Sequence, residues 1–419
     1  MSNIKSSGKL QNDFIDKGSL LVDVFSLSEG KPVSGAFVTV TQKDSNLIVE
    51  RVQTDLVGGI GEILLPAPPL EYSLNVDQPK PYSEYDVYVS YSDYEQVKIN
   101  GVQIFSSTTA IQNIILRPLE AKLKPIEINI SEPVLWGDYP PKIPETEVKR
   151  MPPESGFIVL PKPVIPEYVV VHNGRPEDTY AQNYTVPFKE YIKNVASCEI
   201  YSTWPKETIK ANVLAILSFT LNRVYTEWYR SKGYNFTITN STAFDQAFSY
   251  GRNLFQEISE VVDEIFTTYI SKPSIRQPLF TQYCDGQRTT CPNWLSQWGS
   301  KYLGDEGYEA IGILKNYYGN EIILKEAEKV EGIPESYPGY ALSIGSTGPA
   351  VTTIQEQLNA ISEKYPLIKK VRVDGIFGEA TNDAVEIFQE IFRLPVTGVV
   401  DLATWYKISS IFVAVEKYA

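Results

Sequence analysis

One carboxylate is set apart by its surroundings. Glu199 follows Val195, Ala196 and Cys198 and precedes Ile200, Tyr201 and Trp204, so an acid stands among apolar and aromatic side chains. Desolvation favours the neutral form of a carboxyl and moves its pKa towards neutrality, where it can both give and take a proton. The competing reading is a Glu placed just ahead of a helix N-terminus, where negative charge is favoured by the helix dipole alone. Cys198 next to it raises a second chemistry, a thiol nucleophile with His172 as base, although nothing around Cys198 has the signature of such an enzyme. Cys284 and Cys291, with six residues between them, are open to three fates: a disulfide, half of a thiolate metal site, or no partnership. With one histidine in the chain, four zinc ligands are not visible, and neither a metal nor a cofactor is expected.

The elements that must hold Glu199 are legible around it. Tyr168–His172 is strand-like, and the strongest helix follows Thr203, with Trp204-Pro205 in its first turn, where proline costs no hydrogen bond. Ile209, Val213, Ile216, Leu217 and Leu221 keep one face of that helix buried as far as Arg223, and a second helix is expected from Phe255 to Tyr269. Residues 167–331 therefore read as a mixed α/β unit.

At 419 residues the chain is expected to hold two to four domains. A net charge of −13 argues against nucleic acid, whose phosphates need clustered Lys and Arg. No apolar run is long enough to span a bilayer, and the first 17 residues lack the apolar segment of a secretory signal. Residues 1–117 read as an antiparallel β-sandwich, from alternation at Leu20, Val22 and Val24, at Val38 and Val40, and at Tyr88, Val89 and Tyr91. Residues 118–166 hold eleven of the 28 prolines and read as an extended, exposed linker. Its Ile126, Ile128, Ile130, Val134, Leu135 and Trp136 are apolar enough to lie along a neighbouring domain, and Phe157-Ile158-Val159-Leu160 is the expected cleavage region. Residues 340–415 read as a three-helix bundle, with Thr381 capping its second helix. No internal repeat is apparent. The fold class expected is thus multidomain α+β.

Three resemblances add to this reading. Val351 to Leu358, then Asp374-Gly375-Ile376-Phe377-Gly378-Glu379-Ala380-Thr381 and Gly398, Asp401, Thr404 and Trp405, resemble the type 1 peptidoglycan-binding domain. That resemblance implies wall contact by Asp374, Gly375, Phe377, Thr381 and Trp405. Lys31 to Val40, with Thr54-Asp55 and Gly61-Glu62, resembles the carboxypeptidase-regulatory-like sandwich. Val186-Pro187-Phe188-Lys189-Glu190-Tyr191-Ile192, Val195 to Ile200, Trp204-Pro205-Lys206-Glu207 and Ser296-Gln297-Trp298-Gly299 together resemble the SpoIID family of peptidoglycan lytic enzymes.

The SpoIID resemblance implies that Glu199 is the catalytic acid of a lytic transglycosylase, in which the muramic acid 6-hydroxyl attacks and one carboxyl suffices. It implies glycan contacts for Gln246 and Gln297; Trp294 and Trp298 read equally as sugar-stacking rings or as core. The family's usual Gly-His-Gly run before Ser-Gln-Trp-Gly is here Thr290-Cys291-Pro292-Asn293-Trp294-Leu295, so a relative's zinc site does not carry over.

The order of parts resembles the clostridial spore cortex-lytic enzyme family (SleC). That implies a zymogen located in the spore, cortex peptidoglycan as substrate and an activating subtilisin-like germination protease as partner. The rival readings are an N-acetylmuramoyl-L-alanine amidase and a non-catalytic wall-binding protein.

Overall fold

The computed structural model describes residues 16–27, 31–43, 45, 47–119, 125–150 and 162–417. The expected cleavage region, Phe157–Leu160, lies outside them. The architecture is mixed α+β, with eight α-helices and several sheets among the described residues.

The N-terminal strands follow the alternation of their sequence. β1 (Asp16–Ser26) turns Leu20, Val22 and Val24 into the core, all fully buried, as the period of two requires. β2 (Lys31–Pro32) and β5 (Ile63–Ala67) pair with it antiparallel, and β8 (Thr109–Leu116) pairs with it parallel. A second sheet runs β4 (Ile48–Gln53), β3 (Phe37–Gln42), β6 (Tyr82–Ser90), β7 (Val97–Phe105) and β9 (Ile126–Asn129). β9 comes from the proline-rich segment, so that segment begins with regular structure that its prolines do not forbid.

Residues 162–331 begin with β10 (Tyr168–His172) and β11 (Asn183–Pro187), followed by α1 (Phe188–Glu199) and α2 (Lys206–Tyr225). Pro205 is the residue that caps α2 rather than a member of its first turn. α2 is buried nearly all round, as a helix at the centre of its unit must be. β12 (Ile238–Thr239), β13 (Leu254–Phe255) and α3 (Gln256–Ile265) come next. The helix expected to reach Tyr269 stops at Ile265, because Thr268–Ser271 forms β14, paired with β17 (Ile323–Glu326). Between those two strands lie β15 (Tyr283–Cys284), β16 (Leu295–Ser296), α4 (Gln297–Asp305) and α5 (Ala310–Tyr318). β13 joins the N-terminal sheet through antiparallel pairing with β8, Leu254 opposite Ile111 and Phe255 opposite Ala110. The two regions thus share one hydrogen-bonded sheet.

The C-terminal helices are α6 (Pro349–Ser362), α7 (Glu379–Ile391) and α8 (Leu402–Lys417). Thr381 does not cap α7: Gly378 holds the cap position and Thr381 is buried in the first turn. An internal repeat is present after all. The Gln355 amide grips the 374–376 turn and Thr381: its Oε1 accepts from the Asp374 and Gly375 N–H groups, and its Nε2 donates to Ile376 O and Thr381 Oγ1. Gln389 does the same for Thr397, Gly398, Val399 and Thr404. Gly375 and Gly398 have φ of 70° and 66°, the left-handed conformation that a glycine takes without strain. The glutamine-to-glycine spacing differs between the copies, which hid the repeat from periodicity.

Candidate active site

Glu199 is the last residue of α1 and is 1% exposed. The α1 sequence places it there. Phe188, Tyr191, Ile192, Val195 and Ala196 bury most of the helix surface, and its last turn carries the carboxyl into the interior. Three donors fix the side chain. The Ala247 N–H reaches Oε1 at 2.9 Å, the Tyr283 hydroxyl reaches the same oxygen at 3.3 Å, and Gln297 Nε2 reaches Oε2 at 3.1 Å. Gln297 also donates to the Glu199 carbonyl, which ties α4 to the end of α1. Burial, followed by the charge of Glu199, holds the Tyr283 hydroxyl well above its ordinary pKa, so it stays a proton donor.

The loop that presents Ala247 is built on a buried ion pair. Asp245 accepts from Arg223 Nε at 2.7 Å, from the Tyr229 hydroxyl at 2.6 Å, and from both the backbone N–H and the hydroxyl of Thr239. With the Arg223 and Asp245 side chains both fully enclosed, each charge requires the other. Arg223 is structural. Asp245 and Tyr283 were not singled out by the sequence, because a lone Asp or Tyr has no pattern until the fold brings it to the acid.

The other expected site residues divide. Gln246 is fully buried and its amide is engaged by the scaffold: Oε1 accepts from Tyr191 and Thr220, and Nε2 donates to Ile216 O. It helps aim the neighbouring Ala247 and has no free group for a ligand. Gln297 does meet Glu199, as a positioning residue, and its Oε1 has no partner among the described residues. Trp298 is buried in a cluster with Tyr201, Trp204 and Tyr302, at centroid distances of 6.1, 5.1 and 6.3 Å. Trp294 is half-buried. In the C-terminal helices Phe377, Thr381 and Trp405 are core residues, whereas Asp374 and Gly375 line an open depression with Gly348, Thr352 and Ile376.

The thiol alternative fails on geometry. Both ring nitrogens of His172 are engaged, with Asn183 at 2.8 Å and with Arg175 O at 3.1 Å, and its ring stacks on Phe236. The buried Cys198 thiol lies 3.6 Å from Asn194 instead, and burial raises its pKa. Cys284 and Cys291 are disulfide-bonded, with Cα atoms 5.7 Å apart.

What lies over Glu199 is the chain's own proline-rich segment. The Val134 N–H donates to Cys198 O at 2.8 Å and the Ile143 N–H to Ala243 O at 2.7 Å. Between them, the Lys142 ammonium donates to the carbonyls of Thr242 and Asp245 and stands 4.7 Å from the Tyr283 ring centroid. Burial lowers its pKa, opposed by the charges of Glu199 and Asp245.

Residues 177–267 match the family model described as Stage II sporulation protein, and residues 347–408 match the one described as putative peptidoglycan binding domain. No curated protein sequence matches the chain. Among solved structures, the SleB N-terminal domain is 30% identical over 18% of this chain and 99% of its own, with a TM-score of 0.16. The Bacillus anthracis TIE protein is 17% identical over 25% of this chain and 17% of its own, with a TM-score of 0.18. Klebsiella pneumoniae 5-hydroxyisourate hydrolase is 13% identical over 24% of this chain and 90% of its own, with a TM-score of 0.17. The chain carries a SpoIID-family region around Glu199 and a peptidoglycan-binding domain at its C-terminal helices.

Proposed function

We propose that the protein is a proenzyme that cleaves the glycan strands of spore cortex peptidoglycan as a lytic transglycosylase, with Glu199 as its single acid–base group. The observation that carries this reading is one deeply buried carboxyl, fixed by three donors, inside the region that matches the sporulation family. A hydrolase that works with two carboxylates needs the second to attack or to activate water. One carboxyl suffices when the substrate brings its own nucleophile.

In that reaction the protonated Glu199 gives its proton to the glycosidic oxygen as the C1–O bond breaks. The 6-hydroxyl oxygen of the same muramic residue bonds to C1, its proton passes to Glu199, and a 1,6-anhydro end results without water. The Ala247 N–H, Tyr283 and Gln297 keep the carboxyl in one orientation through both transfers, which is the kind of fixed geometry acid–base catalysis needs. The C-terminal peptidoglycan-binding domain supports wall as the partner. We assign residues 1–117 with the 118–166 segment to the proenzyme part, 167–331 to catalysis and 340–415 to wall binding, with activation by a germination protease.

Mass spectrometry of muropeptides released from isolated cortex by intact and protease-trimmed protein tests this. Trimmed protein freed of its N-terminal fragment should release anhydro-muramic ends and intact protein should not, and Glu199→Gln should lose about three orders of magnitude of that activity. New amino groups without new sugar ends would identify an amidase instead. Tight sedimentation with wall and no soluble fragment would identify a non-catalytic binder.

A further inference from the structure

Residues 132–149 run as a strap past the Glu199 site, bonded to the end of α1 and to the 242–245 loop, with Lys142 against the Tyr283 ring. At one end Arg288 donates to the carbonyls of Val134, Trp136 and Gly137. In the middle sits Lys142. At the other end backbone and side-chain bonds tie the strap to the 277–282 segment. The Glu145 N–H donates to Gln282 Oε1, the Phe280 N–H donates to Glu147 O, and Gln277 both accepts from and donates to the Lys149 backbone. Glu145 completes the attachment. It takes both terminal nitrogens of the buried Arg223, one of them at 2.6 Å, and also pairs with Lys149 at 2.8 Å.

The body behind the strap is held as firmly. Gln103 and Asn253 exchange a reciprocal pair of bonds at 3.0 and 3.1 Å, and Arg252 donates to Gln103 Oε1 at 2.6 Å, all buried. The Trp204 indole donates to Ser73 O, and Phe105 packs on Tyr201 and Phe255. With the β8–β13 pairing, these contacts make the N-terminal portion a bound partner and not only a covalent leader. A cut after residue 150 removes none of them.

We infer that residues 132–149, with Lys142 lodged beside the acid, are an inhibitor seated where glycan would lie, and that this inhibitor stays bound after the chain is cut between Arg150 and Lys162. The inference rests on the proposed role of Glu199 and concerns the control of that same site. Cutting converts an intramolecular inhibitor into a dissociable one, so activity follows departure of the N-terminal fragment and not the cut itself.

Limited proteolysis of the full chain between Arg150 and Lys162, followed by gel filtration and amine acylation read by mass spectrometry, tests it. Both fragments should co-elute at micromolar concentration, and Lys142 should label about tenfold or more slowly than the exposed Lys206 in intact and nicked chains alike. Separation of the fragments at the moment of cutting, or equal labelling of the two lysines, would overturn it. Glu145→Ala should raise about 30-fold the concentration at which half the nicked chain has parted; no change would count against the strap. These readouts need no activity, so they separate the strap from the reaction. Release of anhydro ends should rise on dilution of nicked protein, and a concentration-independent specific rate would overturn inhibition in trans. If no dilution yields anhydro ends, the proposed reaction is wrong and inhibition falls with it, while the seating stands on the labelling.

Discussion

Glu257 gives the contact between the N-terminal strands and α3 a pH dependence of defined sign. It lies in the first turn of α3, where its Oε1 accepts the Thr109 N–H of β8 at 3.2 Å and its Oε2 is buried without a partner among the described residues. Burial, with a smaller contribution from Glu260, pushes its carboxyl from the ordinary 4.5 to about 7. A carboxyl whose folded pKa is raised holds its proton more tightly folded than unfolded, so it favours the fold below pH 4.5. That contribution is lost progressively as pH rises from 4.5 through 7, and above 7 it no longer changes. At 1.36 kcal/mol per unit the full span comes to about 3 kcal/mol, trimmed by the water that reaches the partly open side of the residue.

Glu257→Gln keeps the acceptor for Thr109 and removes the titration. Urea denaturation of both proteins between pH 4 and 8.5 measures the difference, since every other group titrates equally in the two. The variant should match the parent near pH 4 and exceed it by about 2–3 kcal/mol at pH 8. Parallel stability curves across that range would refute the reasoning.

Other outcomes follow from single contacts. Tyr283→Phe removes one donor from Glu199 Oε1 and should lower kcat for release of anhydro ends about tenfold with KM little changed. Asp263 is buried, which would raise its pKa, but Lys189 and Lys193, each at 2.8 Å, with Lys407 beyond, outweigh burial and hold it well below its usual range. Asp263→Asn leaves those ammoniums enclosed without their counter-charge and should cost about 3–5 kcal/mol of stability by chemical denaturation. In Gly304→Ala the new methyl would lie 1.9 Å from the Thr208 hydroxyl, so the midpoint of thermal unfolding should fall by an amount equivalent to about 1–3 kcal/mol.

Much of the site was legible in the order of residues. Glu199 could be picked out because apolar neighbours at Val195, Ala196, Cys198 and Ile200 are adjacent in the chain, but its place as the last residue of α1 was not read from the sequence. Gln297 was found, but its role was not, since the sequence cannot say whether an amide faces a ligand or a carboxylate. Gln246, Phe377, Thr381 and Trp405 show the same limit: residue type and motif position suggested contact with ligand, and packing placed all four inside. The repeat of Gln355 and Gln389 escaped because hydrogen bonding, and not spacing, is what recurs.

The sequence by itself determined the alternation of β1 and the buried face of α2, and marked Glu199 as poor in water, because each depends on neighbours within a turn or two of chain. Tertiary structure alone decided that Ala247, Tyr283 and Gln297 converge on Glu199 from 48, 84 and 98 residues away. It also decided that the proline-rich segment lies across the acid and that β13 completes an N-terminal sheet. Those contacts are made by common polar groups whose partners are chosen by burial, and a buried donor or acceptor takes whichever partner the closed fold brings within reach.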